Sequence, residues 1–351
     1  METRAFQQET GDLLIPLQFD AFPGPVSLIP DVSQSAWART SGFPFREVRT
    51  TPYKAARGRI LARYQLRCQH GHMLPTDSHV HTEWSWDCLA GSMTASCRKA
   101  VDLGLRSIAF TEHTDFTAWL IPPEAIATMP EKYQEMVRAD GTLLPPPLDV
   151  MGYLSCIEEC RTRFPGLRIL SGLELGEPHW HSTEVKNILR SGTFDRVLGS
   201  VHSLREGPHA LVVERLHGLR RPDELLRDYL AEALAMVEGS DTFEVLGHLD
   251  YPVRAWPAEA GPFDPRRFEE EFRSVLRALA AGGRVLEINT AVPLDALIVR
   301  WWRECGGKWI SFGSDAHEPG QVARDFARMG ALAEGCGFSP GQHTGDFWRR
   351  S

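Results

Sequence analysis

From about residue 75 onward, short apolar runs alternate with longer stretches in which apolar residues recur at helical spacing. The runs Ser78–His81, Arg106–His113, Leu167–Leu175, Arg196–His202, Phe243–His248, Arg284–Asn289 and Trp309–Ser314 predict strands. Between them, Met93–Leu103, Tyr153–Phe164, Ser182–Arg190 (with Ser182 as a cap), Pro222–Glu238, Phe268–Ala281, Asp295–Arg303 and Val322–Glu334 predict helices. Gly104, Pro165-Gly166, Gly239 and Gly282-Gly283 stand where helices should stop. Repeated strand-then-helix units imply a parallel sheet covered by helices, and seven of them suit a closed, TIM-like α/β barrel. One connection, residues 116–150, is long and carries Pro122, Pro123, Pro145, Pro146 and Pro147. Loops of that length are usually functional.

Residues 1–73 break the rhythm. Periodicity is poor there, yet Trp37, Phe43, Phe45 and Tyr53 argue against pure disorder. The expectation is an N-terminal extension packing on a single barrel domain spanning 74–351. Cys68, His70 and His72 lie close together in the extension, but lack a fourth ligand for a metal site.

Totals narrow the function. The chain has 351 residues, 42% hydrophobic, and a formal net charge of -8. An acidic balance disfavours long nucleic acid as a partner. Seven cysteines, scattered and without a CxxC pair, fit a reducing compartment rather than a disulfide framework, and Cys156 and Cys160 read as core thiols at helical spacing. The first twenty residues do not read as a signal peptide, and no apolar stretch reaches membrane-spanning length. A cytoplasmic protein with no membrane partner is expected.

The chemistry sits at the strand ends. His79 and His81, two apart on a strand, leave the same face. Other predicted strands end at His113, Glu174, His202, His248, and the Asp315/His317 pair, and Asp87 follows the first histidine pair after a turn. Any one of these has an ordinary reading, such as His113 bonded to Asp115 or His202 beside Ser200. A barrel brings all of them to one mouth, and the ordinary readings must then all hold at once. Six histidines and three carboxylates exceed what one ion needs, so two to three divalent cations are implied. Mixed donors suit Zn²⁺, Mn²⁺ or Fe²⁺ better than Mg²⁺. Closely spaced divalent ions favour hydrolysis of a phosphate ester, with amide or amidine hydrolysis as the chemical rival.

The motifs Asp77-x-His79-x-His81-Thr82-x-x-Ser85-x-Asp87, Thr111-Glu112-His113, Gly172-x-Glu174, Ser200-Val201-His202, Gly247-His248-x-Asp250 and Gly313-Ser314-Asp315-Ala316-His317 resemble, in order, those of the polymerase-and-histidinol-phosphatase (PHP) superfamily. The resemblance covers roughly residues 74 to 330 and implies a distorted (β/α)7 barrel with a trinuclear metal centre. It implies that His79, His81, Glu174 and Asp315 hold one ion, that Glu174 bridges to a second with His202 and His248, and that Asp87, His113 and His317 hold a third. Asp315 and His248 are then expected at the reacting centre. Met73 to Thr82 and Leu286-Glu287-Ile288-Asn289-Thr290 are most similar to histidinol-phosphate phosphatases, which implies a small phosphomonoester as substrate.

Two stretches depart from that pattern. Ala291-Val292-Pro293-Leu294 supplies no basic residue after Asn289-Thr290, and Leu175 to His181 replaces an acidic-aromatic pair. Both leave the ligand set intact and bear on the substrate; a nucleotide, short oligonucleotide or sugar phosphate is the alternative. Arg254 resembles a basic position of the family, and Arg205 follows His202 closely; either suits bidentate phosphate contact. His179 and His181 repeat the His-x-His spacing and read either as substrate-facing or as surface histidines. A non-catalytic barrel keeping metals for stability is the competing class, and the complete ligand set argues against it.

Overall fold

The computed structural model of the chain describes residues 74–343 and 345–351; the N-terminal extension, with Cys68, His70 and His72, lies outside the described residues. The strands in chain order are β1 (Ser107–Thr114), β2 (Trp119–Leu120), β3 (Thr142–Leu143), β4 (Arg168–Gly176), β5 (Arg196–Ser200), β6 (Ser203–Glu206), β7 (His209–Val212), β8 (Val245–Leu246), β9 (Val285–Asn289), β10 (Trp309–Gly313), β11 (Phe338–Ser339) and β12 (Trp348–Arg350).

Six of these, β1-β4-β5-β8-β9-β10, lie side by side and parallel. Among the described residues, no regular strand joins the two ends of the row. The short segment 77–81 does so through isolated bridges, with Asp77 paired to both Ile108 of β1 and Phe312 of β10. Its backbone bonds run to both sides: Ala109 N–H to Asp77 O at 2.7 Å and Thr111 N–H to Val80 O at 2.9 Å, and Ser78 N–H to Phe312 O at 2.8 Å. The seven expected strand positions therefore form a ring, and parallel orientation puts every C-terminal end at one mouth. The chain's last strand, β12, runs antiparallel to β10 at the opposite end. Just before it, Phe347 packs on Leu198, Val245 and Val285 beneath the Arg196 guanidinium.

Helices cover the ring because their apolar faces match it. The helices Pro222–Gly239, Glu269–Ala281 and Ala296–Glu304 bury Leu226, Tyr229, Phe272, Leu276 and Trp302 against Leu246, Leu286 and Ile310. Met93–Asp102 and Val150–Arg163 bury Met93, Cys97, Tyr153, Ile157 and Cys160 against Ile108, Phe110 and Ile169. Each fully buried side chain of this size contributes about 1.5–3 kcal/mol relative to exposure. Ser92 and Asp149 cap two of these helices, accepting from Ala95 N–H and Gly152 N–H. No helix among the described residues is long and apolar enough to cross a membrane.

Several boundaries differ from the sequence expectation, each for a tertiary reason. The last helix is Phe326–Gly335, not 322–334. Ala323 and Asp325 adopt φ of +54° and +62°, and Ala323 N–H is donated to the buried Asp77 carboxylate at 2.8 Å. Ser182 is the first helical residue rather than the cap; His181 occupies the cap position without a side-chain bond. The strand expected over 243–248 is only β8, because His248 N–H leaves the ladder for the Glu287 carboxylate at 2.7 Å. The proline-rich connection builds β2 and β3, which join β7 and β6 in a second sheet, ordered β3-β2-β7-β6, beside the barrel mouth.

Candidate metal centre

Alternation along 77–81 turns His79 and His81 to the barrel interior, where both are fully buried. Asp77 anchors the segment: its carboxylate accepts Ser314 N–H at 2.9 Å, and burial pushes its pKa up to about 6 against these bonds. Beyond His81 the chain turns on Glu112. That carboxylate accepts Thr82 N–H at 3.1 Å and the Thr82 and Ser85 hydroxyls at 2.6 Å, and burial lifts its pKa to about 7. Ser85 Oγ in turn accepts His113 N–H at 3.0 Å and lies 3.1 Å from His81 Nδ1. With Ser85 donating to Glu112, His81 carries its proton on Nδ1 and points Nε2 inward.

His79 and His81 meet Glu174 and Asp315 at one point. His79 Nε2 and His81 Nε2 are 3.0 Å apart. Glu174 Oε2 lies 3.1 and 3.3 Å from them, and Asp315 Oδ1 lies 3.5 and 3.2 Å from them. Donors placed tetrahedrally at about 2.0–2.1 Å around a zinc-like ion sit about 3.3 Å from one another. These four atoms thus frame a cation of that size. The other Glu174 oxygen, Oε1, lies 2.7 Å from His248 Nε2 and 3.2 Å from His202 Nε2. Across the mouth, Asp87 Oδ2 lies 3.3 Å from both His113 Nε2 and His317 Nε2. The rings knit the groups together, with His81 stacked on His113 at 4.1 Å and 4.4 Å from His317. All nine candidate ligands therefore converge, and Glu174 stands between the groups.

Electrostatics favour cations here. Burial opposes charge on Glu174, yet His79, His202 and His113 hold it well below the usual carboxylate range. Burial likewise opposes protonation of His79, but Glu174, Glu287 and Asp315 outweigh it and raise its pKa well above that of free histidine. His81 and His248 are lowered, mainly by burial, and stand ready as neutral donors. Glu174 Oε2, one of the four atoms that frame the first position, is buried and takes no hydrogen bond from the described residues. Buried polar atoms left this way need a partner, and the mixed imidazole and carboxylate set fits divalent ions. Asp315 holds φ +53°, a left-handed conformation that a non-glycine residue adopts at a cost and that clusters at functional sites.

Residues outside the nine ligand candidates complete the shell. Glu287 accepts from His79 Nδ1 at 2.7 Å, and Asp115 accepts from His202 Nδ1 at 3.0 Å and from Trp86 Nε1 at 3.0 Å. Each carboxylate fixes its histidine with Nε2 facing the cavity. Two glycines make room. A Cβ at Gly313 would come within 2.0 Å of Glu287 Oε1, and one at Gly176 within 2.1 Å of Asp115 Oδ1. Glu177, at φ +42°, accepts His202 N–H at 2.6 Å and Ser203 N–H at 2.8 Å. The signal for these residues was a lone acid in an apolar strand or at its end, which cannot be buried without a partner. Asp115 also approaches His113, the partner expected from the sequence, at 3.6 Å.

The four expected substrate contacts separate. Arg254 reaches the centre: its guanidinium pairs with Asp315 Oδ2, lies 3.5 Å from Asn289 Oδ1 and covers the Tyr251 ring. Arg205 is exposed on β6 and lies 4.3 Å over the Trp180 ring. His179 is engaged at 2.6 Å by Glu232 of the helix Pro222–Gly239, which also accepts Trp180 Nε1–H. His181 Nε2 lies 2.9 Å from the Thr117 hydroxyl, which donates to Glu177.

Comparison with known proteins agrees with this geometry. The family model of the PHP domain matches residues 77–291. The histidinol-phosphatase of Lactococcus lactis is 27% identical over 257 residues, 70% of this chain and 85% of the relative. A probable histidinol-phosphatase of Deinococcus radiodurans is 28% identical over 276 residues, 72% of this chain and 89% of the relative. Among solved structures, the L. lactis histidinol phosphate phosphatase, complexed with zinc, L-histidinol and phosphate, superposes with a TM-score of 0.62 at 25% identity, covering 76% of this chain and 95% of that one. A second solved structure, from Listeria monocytogenes, shares the fold at a TM-score of 0.55 and 16% identity, covering 72% of this chain and 99% of that one.

Proposed function

The chain belongs to the PHP domain family, and from that premise we propose that it is a metal-dependent phosphatase that hydrolyses histidinol phosphate to histidinol and phosphate, a step of histidine biosynthesis. The observation that carries the reading is the convergence of His79, His81, Asp87, His113, Glu174, His202, His248, Asp315 and His317 at one barrel mouth. It is supported by the likeness to a phosphatase solved with zinc, histidinol and phosphate. Residues 74–351 are read as the phosphoesterase domain and 1–73 as an extension, in a cytoplasmic enzyme of small metabolites.

Two to three divalent ions are proposed, zinc foremost, with manganese or iron as alternatives. His79, His81, Glu174 and Asp315 would hold one, Glu174 with His202 and His248 a second, and Asp87, His113 and His317 a third. Bound together, such ions supply positive charge to the phosphoryl oxygens and lower the pKa of a water at the site. The chain's own residues do the rest. Glu174 presents one oxygen to His79 and His81 and the other to His202 and His248, so it sets the spacing of the groups. Asp315 faces the cation pocket with Oδ1 and Arg254 with Oδ2, which holds the guanidinium at the rim. There Arg254 is placed to grip a phosphate oxygen.

Phosphate release from the zinc- or manganese-loaded protein, measured with histidinol phosphate, nucleoside monophosphates, sugar phosphates and short oligonucleotides, tests the assignment. The expected result is the highest kcat/KM on histidinol phosphate. Turnover of a nucleotide or sugar phosphate with none of histidinol phosphate would reassign the substrate.

A further inference from the structure

The connection 116–150 has more structure than a link needs. Trp119, Ile121, Ala125, Met129, Tyr133 and Leu143 form a small buried core with Ala210 and Val212 of β7. Trp86, from the turn after the first histidine pair, enters that core as well, its ring 5.5 Å from Trp119 and 5.8 Å from Tyr133. Its indole N–H is fixed on Asp115 at 3.0 Å. Trp86 is the residue immediately before Asp87.

The same core touches Asp87 directly. The Tyr133 hydroxyl, on the short helix Glu131–Gln134, donates to the Asp87 backbone carbonyl. On the other flank, the Cys88 thiol donates to the His317 carbonyl at 2.8 Å. Asp87 thus sits in a turn gripped on both sides, and its grips reach His317 as well. Asp87 and His317 are two of the three residues that face one another at the third cation position. A ligand carboxylate on an irregular turn is held only as firmly as the backbone beneath it; partners bonded directly to a ligating side chain are worth about 10–100-fold in metal affinity, and a bond to the ligand's backbone belongs at the low end of that range.

We infer that the 116–150 connection is a clamp that sets the third metal position, with Tyr133 as the positioning residue for Asp87. The inference rests on the reading that Asp87, His113 and His317 share a cation. Tyr133 acts through the Asp87 carbonyl, while the aromatic seat of Trp86 fixes the direction from which Asp87 enters.

Zinc titration of metal-stripped protein, in competition with a chromogenic chelator, tests this on wild type, Y133F and D87N, with thermal melts of the metal-free proteins alongside. Wild type should take up two to three ions, and D87N one fewer. Y133F should bind the ion that D87N loses about tenfold less tightly than wild type, with the other ions unchanged. A purely structural role would lower the melting temperature of metal-free Y133F and leave every zinc affinity as in wild type; that result overturns the inference. Should Y133F fail to fold, Trp119→Phe thins the same aromatic seat and is judged by the same weakening of the ion that D87N loses. Wild type that takes up no zinc at all would instead remove the reading of the site on which the inference rests.

Discussion

His79 Nδ1 and Glu287 Oε1 are 2.7 Å apart inside the barrel, although 208 residues separate them in the chain. Glu287 also accepts His248 N–H at 2.7 Å, so one carboxylate orients two of the histidines that face Glu174. Glu287→Gln keeps the shape and removes the charge that holds the Nδ1 proton. Zinc affinity should fall about 10–100-fold, while the fold persists. Chelator competition reads this directly, and unchanged affinity would show that His79 needs no such partner.

Glu174→Gln tests the bridge. The substitution removes a charge shared by His79, His81, His202 and His248. Phosphate release should drop by roughly 10³-fold and at least one ion should be lost, while helix-on-barrel packing keeps the protein folded. Metal content, melting temperature and turnover on the one variant separate this from a structural ion pair. Retained metal with near-normal turnover would refute the bridging role.

Arg254→Ala tests phosphate contact. Loss of a charge-assisted bond to substrate should raise KM about tenfold to a hundredfold. Because Arg254 also pairs with Asp315, metal content is measured in the same preparation. If KM and kcat both stay at wild-type values, the assigned contact is wrong.

Protons should compete with metal. Burial opposes it, but facing carboxylates raise His79 and His202 well above the ordinary histidine value. Metal loading must therefore displace protons near neutrality. Apparent affinity should weaken as pH falls, by about tenfold per pH unit for each proton displaced. The signs for stability follow. In metal-free protein the raised histidines stabilise fully below about pH 6.5, the unfolded value, and that contribution is lost as pH rises through their folded pKa. Glu174, held low, stabilises above about pH 4.3 and loses its contribution as pH falls further. The gain in melting temperature on adding zinc should thus grow from pH 6 to pH 8. A gain independent of pH would count against proton displacement.

The alternation of apolar runs and helical stretches, and the acidic or histidine residue at nearly every strand end, were legible because both are local. Period 2 and period 3.6 report which way a side chain leaves its own backbone, and that was enough to place His79, His81, His113, Glu174 and His202 at one end of a barrel. What locality does not carry is the partner. His79-x-His81 and His179-x-His181 have the same spacing; the first pair lies on a segment hydrogen-bonded to both neighbours in the ring, and the second lies past the end of β4, where packing of the helix Pro222–Gly239 brings Glu232 to His179. Glu287, Asp115 and Tyr133 carry no spacing signature. Sheet register and the seating of the long connection set them beside His79, His202 and Asp87, because contacts between distant segments are decided by which strands pair and which cores close.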